Sequence, residues 1–166
     1  MEWLTRFFRH VWMSPLIQRR QFPHATLTAI EHAVAAGEKT HRGQVRFVVE
    51  AELTTAQLWA GVTSRQRAVD VFSMLRVWDT AENNGVLLYV LLADRKVEIV
   101  ADRSIDRDVG VERWRAICRE IELRFRNNDF LTGSVIGVEK ISAELAHCFP
   151  ARGGEKNEQP DRPVMM

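Results

Sequence analysis

The chain has few of the features that mark membrane-spanning or secreted proteins. Within its 166 residues the longest apolar run, Val86 to Ala93, is far shorter than the roughly 20 residues that a transmembrane helix needs. The N-terminus has neither the long apolar core nor the small-residue cleavage site of a signal peptide. These absences predict a cytoplasmic protein with no transmembrane segment.

Familiar catalytic and nucleic-acid-binding signatures are also missing. The sequence has no glycine-rich phosphate loop, dinucleotide fingerprint, zinc-protease helix motif or nucleophile elbow, and none of its five histidines lies beside an obvious nucleophile. Lys and Arg (23) nearly balance Asp and Glu (22), which gives a net charge of +1 and no global field for nucleic acid. Nothing therefore supports serine or cysteine hydrolase chemistry, and we expect no nucleic-acid partner.

Cysteine is scarce as well. Cys118 and Cys148 are the only two, and each falls on the apolar face of a predicted helix. Such a pair indicates buried free thiols in a reducing compartment, and its spacing has no metal-ligand signature.

The composition that is present, 46% hydrophobic and 27% charged, fits one globular domain. We predict an N-terminal amphipathic segment and linker over residues 1–23, and an α/β domain over residues 24–150. Residues 151–166 are polar and rich in Gly and Pro, which predicts a disordered tail.

Residues 3–13 place apolar side chains at helical spacing with Arg6, Arg9 and His10 between them. A short basic amphipathic helix of this kind could make weak contact with a membrane surface. It could equally dock on the domain or on a protein partner. After this helix, residues 19–23 are expected to be a linker.

The order of the central elements predicts the fold class. A strand from Gly43 to Glu50, a long helix to about Trp78 with a break near Gly61, and a second strand from Val86 favour a parallel right-handed βαβ unit. The second strand is apolar throughout, so helices should cover both faces of the sheet. With further helices near 26–39, 108–126 and 131–148, we predict a three-layer α/β/α sandwich with a small mixed sheet containing this βαβ unit and an antiparallel hairpin.

The hairpin brings two distant residues together. If Asp94 and Arg95 form its turn, Val90 lies opposite Ile99, and a three-residue turn would shift this pairing by one. In both cases Asp102 lies beside the start of the central strand, close to Asn84. The turn itself is expected to be a simple connection.

One end of the predicted sheet is rich in oxygen ligands without His or Cys: Asp79, Glu82, Asn83, Asn84, Asp102 and Asp106. Calcium and magnesium prefer such ligands, whereas zinc prefers nitrogen or sulfur. An ordinary polar loop is the alternative, because Asp and Asn are common turn residues. The helix that begins near this cluster could also receive a phosphate at its free amides.

An ordered set of short motifs resembles the TPM-domain family, in particular its short bacterial members without a signal peptide or membrane anchor. The resemblance covers roughly residues 25–150. The motifs are Ala29-Ile30-Glu31, residues 43–47, residues 67–72, residues 84–90, residues 96–102, Trp114 and Phe149-Pro150.

The resemblance implies an α/β/α sandwich. Members of the family include calcium-binding domains and a plant thylakoid-lumen acid phosphatase connected to photosystem repair. Matched by position, Glu31, Asn84 and Asp102 are the implied metal ligands, with Asp79 as an addition and calcium, or else magnesium, as the metal. The family often has glycine two residues after the aspartate, where this chain has Ser104.

Two functions are consistent with these observations. The preferred one is a non-catalytic domain that binds a divalent cation and a protein partner. The alternative is a metal-dependent acid phosphatase that acts on phosphate monoesters. Phosphoryl transfer depends on positive groups around the phosphate, and Arg103 is the only one that the sequence places firmly near the cluster.

Overall fold

A computed structural model describes residues 2–154 and 156–166. The helices are α1 (Glu2–Trp12), α2 (Pro15–Gln21), α3 (His24–Gly37), α4 (Thr55–Trp59), α5 (Ser64–Met74), α6 (Arg103–Val109), α7 (Val111–Arg126) and α8 (Phe130–Cys148). The strands are β1 (Gln44–Glu50), β2 (Gly85–Leu91), β3 (Lys96–Ala101) and β4 (Val164–Met165).

The four strands form one mixed sheet in the order β3-β2-β1-β4. β1 and β2 run parallel, with Gln44 opposite Gly85, and helices α4 and α5 form the crossover between them. β2 and β3 are antiparallel neighbours. The βαβ unit and the hairpin that the sequence predicts are therefore both present.

Side chains of β2 alternate between two hydrophobic clusters, as the period of a strand requires. Val86, Leu88 and Val90 pack into the cluster with α3, α6, α7 and α8. Leu87, Tyr89 and Leu91 pack into the cluster with α4 and α5. This arrangement confirms the three-layer α/β/α sandwich and explains why β2 is apolar at every position.

Two glycines with positive φ interrupt the helices. Gly61, with φ +70°, lies between α4 and α5, which confirms the predicted break. Gly110, with φ +88°, separates α6 from α7, so the predicted helix over residues 108–126 in fact begins at Val111 and follows a separate short helix. Both conformations favour glycine because a Cβ would be strained there.

The predicted hairpin register is wrong by two residues. Val90 pairs with Val97 rather than Ile99, because four residues, from Leu92 to Arg95, connect the strands. Leu92 donates its N–H to the carbonyl of Glu50, and its own carbonyl accepts from the N–H of Arg95, which closes the turn just before Lys96. A shift of two keeps every side chain on its face. Asp102 still lies against Gly85, next to Asn84.

The N-terminal segment is more regular than predicted. Helix α1 confirms the helix over residues 3–13, but most of the expected linker is the helix α2, which Ser14 caps by accepting from the N–H of Ile17. Pro15 fits the first turn because its missing N–H would have no helical partner there.

Helix α1 docks on the domain through Asp94, which contradicts the prediction that the hairpin turn is a simple connection.

Among the described residues, no helix is both long and apolar enough to cross a bilayer.

The tail also differs from its prediction. Residues 156–166 lie along the outer edge of β1, where β4 pairs Val48 with Val164. The side-chain oxygen of Gln44 accepts from the amides of Glu158 and Gln159 at 2.7 and 3.0 Å. These bonds hold the polar part of the segment, and its last three residues also pack on the core: Val164 and Met166 contact one hydrophobic cluster and Met165 contacts the other. Cys118 and Cys148 are free thiols, as predicted, but both are only partly buried.

Candidate functional site

The candidate site lies where β2 begins and β3 ends, and we call it the Asn84–Asp102 site. The N–H of Gly85 donates to Asp102 Oδ2 at 2.8 Å, and the carbonyl of Gly85 accepts from the N–H of Asp102 at 2.9 Å. Main chain and side chain of Asp102 are therefore both held by one residue, whose chain neighbour is Asn84. The sequence prediction that Asn84 and Asp102 lie together is confirmed.

Gly85 is glycine because the preceding loop passes very close to it. A Cβ at this position would lie 1.9 Å from the carbonyl oxygen of Val77, which is far inside any real contact. Any larger residue would push the loop and the strand apart. The loop from Val77 to Asn84 is thus packed directly onto the start of β2, and this contact fixes where Asn84 sits.

Asn84 is 4% exposed and is held on several sides. Its N–H donates to Thr80 Oγ1 at 3.0 Å, and its carbonyl accepts from the N–H of Gln44 at 3.0 Å. Its Nδ2 donates to the carbonyl of Arg42. A carbonyl can only accept, so the amide nitrogen must face Arg42 and the amide oxygen must point away from it.

That amide oxygen, Oδ1 of Asn84, is buried and has no hydrogen-bond partner among the described residues. A buried polar atom without a partner costs about 1–3 kcal/mol, so such atoms are rare in folded proteins. An incoming cation or donor would remove this cost. The oxygen is thus an unused acceptor in the described structure.

Asp102 offers a second oxygen. Burial raises the pKa of its carboxyl, and the bond from the N–H of Gly85 opposes that shift. Only Oδ2 has a hydrogen-bond donor within the described part of the chain. The other oxygen, Oδ1, is free to bind a ligand, and a nearby positive charge would stabilise the partly buried carboxylate.

The other two predicted ligands are not joined to this pair. Glu31 is half-buried on α3, and Asp79 is exposed on the loop that follows α5. No hydrogen bond or ion pair connects either of them to Asn84 or Asp102. Across residues 2–154 and 156–166, no three His, Cys, Asp or Glu side chains form a group that could hold a metal ion.

Ion pairing further reduces the negative charge of this end of the sheet. Glu82, one of the predicted cluster, pairs with Arg42, whose carbonyl already accepts from Asn84. The sequence position of Arg42, just before β1, does not predict that this residue lies at the site. Thr80 was missed too, because its hydroxyl accepts from the N–H four residues on, whereas the standard cap accepts from the N–H two or three residues on.

Ser104 occupies the position where the family often has glycine, and the serine does not strain the backbone there. It lies in the first turn of α6, where φ is negative, and its hydroxyl donates to the carbonyl of Asn83 at 3.2 Å. The hydroxyl therefore ties α6 to the loop before β2 and helps to keep Asp102 beside Asn84.

The chemistry available is that of a sparse oxygen site. One carboxylate and one amide oxygen suit a hard cation, but they leave most of the six to eight calcium ligands to carbonyls and water. Positive groups that could stabilise a phosphoryl transition state are few, because Arg42 is already paired with Glu82 and Arg103 is exposed.

Comparison with known proteins agrees with this architecture. The family model described as "TPM domain" matches residues 18–144. Among solved structures, the BA42 protein from the psychrophilic bacterium Bizionia argentinensis, determined by NMR, is similar with 30% sequence identity and a TM-score of 0.75. The match covers 86% of this chain and 93% of that one. Among curated proteins, no significant match is found.

Proposed function

The chain belongs to the TPM domain family, and from that premise we propose that it is a non-catalytic member that binds a calcium ion at the Asn84–Asp102 site. The observation that carries the proposal is the buried, unpartnered Oδ1 of Asn84, one residue along the chain from the Gly85 whose N–H binds the half-buried carboxylate of Asp102. Amide and carboxylate oxygens are ligands that calcium prefers, and neither Oδ1 of Asn84 nor Oδ1 of Asp102 has another role in the described structure.

The proposed site should be weak. Asp102 is its only anionic ligand, and calcium affinity falls as the number of charged ligands falls. We expect a Kd near the weak end of known protein sites, about 10⁻⁴ to 10⁻³ M. Magnesium should bind less well, because it demands near-ideal octahedral geometry and gives up its water reluctantly.

NMR titration tests the proposal directly. The amide of Gly85 donates to Asp102, so calcium at this carboxylate should move the Gly85 amide resonance. At about 10 mM calcium, ten times the weakest expected Kd, stability should also rise by about 1.4 kcal/mol. For a chain of this length that corresponds to a Tm increase of about 3–5 °C. A Gly85 resonance that stays fixed over this range would rule out calcium binding at the site.

Isosteric variants, which replace a carboxylate with an amide of the same shape, test which residues bind calcium. Asp102→Asn keeps the shape and removes the charge, so the calcium shift should disappear. Asp108→Asn is the matched control, because Asp108 is an exposed acid on α6 that pairs only with Arg107. Glu31→Gln and Asp79→Asn test the two remaining predicted ligands. Loss of the shift in either one would add that residue to the site.

The acid phosphatase alternative predicts turnover of a phosphate ester, whereas the non-catalytic function predicts none. We expect purified protein to hydrolyse a generic phosphate monoester no faster than the matched Asp102→Asn variant, with or without calcium. Turnover that depends on the metal and is lost in this variant would replace the non-catalytic function with the enzymatic one. The cytoplasmic location and the protein partner stay predictions from the sequence.

A further inference from the structure

Helix α1 docks on the domain through its charged face. Arg6 donates to both oxygens of Asp94 and to the carbonyl of Val62, with distances from 2.8 to 3.1 Å. His10 lies 1% exposed between Asp94, at 3.0 Å, and the N–H of Leu53, which donates to Nδ1 at 2.9 Å. The bonds of Arg6 and His10, together with Phe7 packed against a hydrophobic cluster, therefore anchor this helix to the domain.

The opposite face of α1 is apolar and exposed. Leu4, Phe8, Val11 and Trp12 follow the i, i+4, i+7, i+8 spacing of one helical stripe, and each is more than half exposed. A soluble domain normally turns such a stripe inward, because burying it is the main gain from forming an amphipathic helix. Here Phe7 faces the domain, but this second apolar stripe remains outside, which indicates that something else covers it.

The exposed apolar surface extends beyond α1. Trp59 of α4 is 72% exposed, and its ring lies 4.9 Å from that of Trp3. On α2, the next helix along the chain, Leu16 is 76% exposed. We call the set Leu4, Phe8, Val11, Trp12, Leu16 and Trp59 the outer apolar surface. Groups of exposed large apolar side chains mark protein or membrane contacts.

Charge points to the partner. Residues 1–23 contain four arginines and one glutamate, a net charge of +3, so the rest of the chain carries −2. Arg19 and Arg20 on α2 are exposed, and Arg9 is half-exposed although it lies 3.6 Å from Asp94. A positive segment on an otherwise slightly negative protein is complementary to an anionic surface.

We propose that the outer apolar surface binds the surface of an anionic lipid bilayer, with α1 lying parallel to the membrane between the domain and the lipid. The stripe sits on a convex helix, and exposed tryptophans border it; tryptophan is favoured at the level of lipid head groups. A bilayer accepts a convex apolar helix without a matching groove, and its head groups attract the flanking arginines.

Vesicle sedimentation of the full chain tests the proposal. Binding to phosphatidylcholine vesicles that contain phosphatidylglycerol should exceed binding to pure phosphatidylcholine. It should weaken when salt rises from about 0.1 M to about 1 M, which shortens the screening length from about 10 Å to about 3 Å. Arg19→Gln with Arg20→Gln should reduce binding to the anionic vesicles and leave binding to pure phosphatidylcholine unchanged.

The decisive variant combines Phe8→Gln with Trp12→Gln and should lower the partition coefficient by about tenfold or more. Both side chains are exposed, so Tm should not change. Met74→Gln with Leu123→Gln is the matched control, because these residues are equally exposed on α5 and α7, and it should bind like the wild type.

Equal binding by the Phe8–Trp12 variant, or no binding by the wild type, would overturn the proposal. A concentration-dependent dimer that this variant abolishes, without vesicle binding, would assign the surface to a second copy of the chain instead.

Discussion

Glu38 and His41 lie in the connection between α3 and β1, and their pKa values move in opposite directions. Burial raises the pKa of Glu38 from 4.5 to about 7, against the bond from the N–H of Val45 and with help from the nearby carboxyl of Asp161. Burial lowers the pKa of His41 from 6.5 to about 4, although its bond to the carbonyl of Gly43 opposes this. Each residue therefore favours its neutral form in the folded protein.

The pH dependence of stability follows from these shifts. Between pH 4.5 and about 7 the folded chain holds a proton on Glu38 that the unfolded chain has lost, so this residue's contribution falls as pH rises. His41 contributes the opposite slope between about pH 4 and 6.5, because the unfolded chain then binds the extra proton. The two effects partly cancel in the wild type.

The variant Glu38→Gln removes the pH dependence of stability that comes from Glu38 and leaves the one that comes from His41. Glutamine keeps an acceptor for the N–H of Val45 and cannot ionise. We expect the Tm of the variant relative to wild type to increase steadily from about pH 4.5 to about pH 7 and to stay constant above that range. Thermal melts of both proteins across this range provide the measurement. A Tm difference independent of pH would show that Glu38 has an ordinary pKa in the folded protein.

Among the secondary-structure elements, α1 is held by several of its side chains meeting at one residue of the domain, Asp94. Asp94 is 9% exposed and receives Arg6, His10 and the more distant Arg9. Burial alone would raise the pKa of Asp94, but the bonds from His10 and Arg6 outweigh it and lower that pKa to about 2. Asp94 therefore stays ionised at neutral and mildly acidic pH.

Replacing Asp94 with asparagine should loosen α1 without unfolding the sheet. Breaking a fully buried ion pair costs about 3–5 kcal/mol, and partial exposure of Arg6 should reduce this to about 2 kcal/mol. Hydrogen exchange should show faster exchange across α1, with β2 unchanged. Asp108→Asn is the control, since that acid pairs only with exposed Arg107. Equal protection of α1 in both variants would place its anchor elsewhere.

The hairpin shows how far sequence patterns determine an element. Its two strands and their faces were predicted from hydrophobicity alone, because a period of two distinguishes inward from outward positions. Its register was not, because the length of the turn depends on the bond from the N–H of Arg95 to the carbonyl of Leu92, which hydrophobicity does not determine. Asn84 and Asp102 were nevertheless placed together, since an error of two residues changes no face. The position of Glu31 depends on how α3 packs, which periodicity does not fix.

Across the whole molecule, the least predictable part is the chain end that completes the sheet. Residues 156–166 have little apolar content, so their sequence indicates disorder. Their order comes from long-range partners: Gln44 binds two of their amides, Gln159 Nε2 donates to the carbonyl of Arg76, and Gln18 Nε2 donates to the carbonyl of Met166. No local pattern reveals bonds between residues so far apart in sequence.

Removing residues 156–166 should expose β1 as an edge strand. The N–H of Ala51 would lose the carbonyl of Met166, and the carbonyl of Val49 would lose the N–H of Met166. We expect a lower Tm, faster exchange of the Ala51 amide and aggregation at high concentration, because β1 is apolar and an unpaired apolar edge recruits other strands. Gln44→Ala in the full chain is the milder companion variant, since it removes only the acceptor for Glu158 and Gln159. If Ala51 exchanged equally in the truncated and full chains, the tail would not be a strand of the sheet in solution.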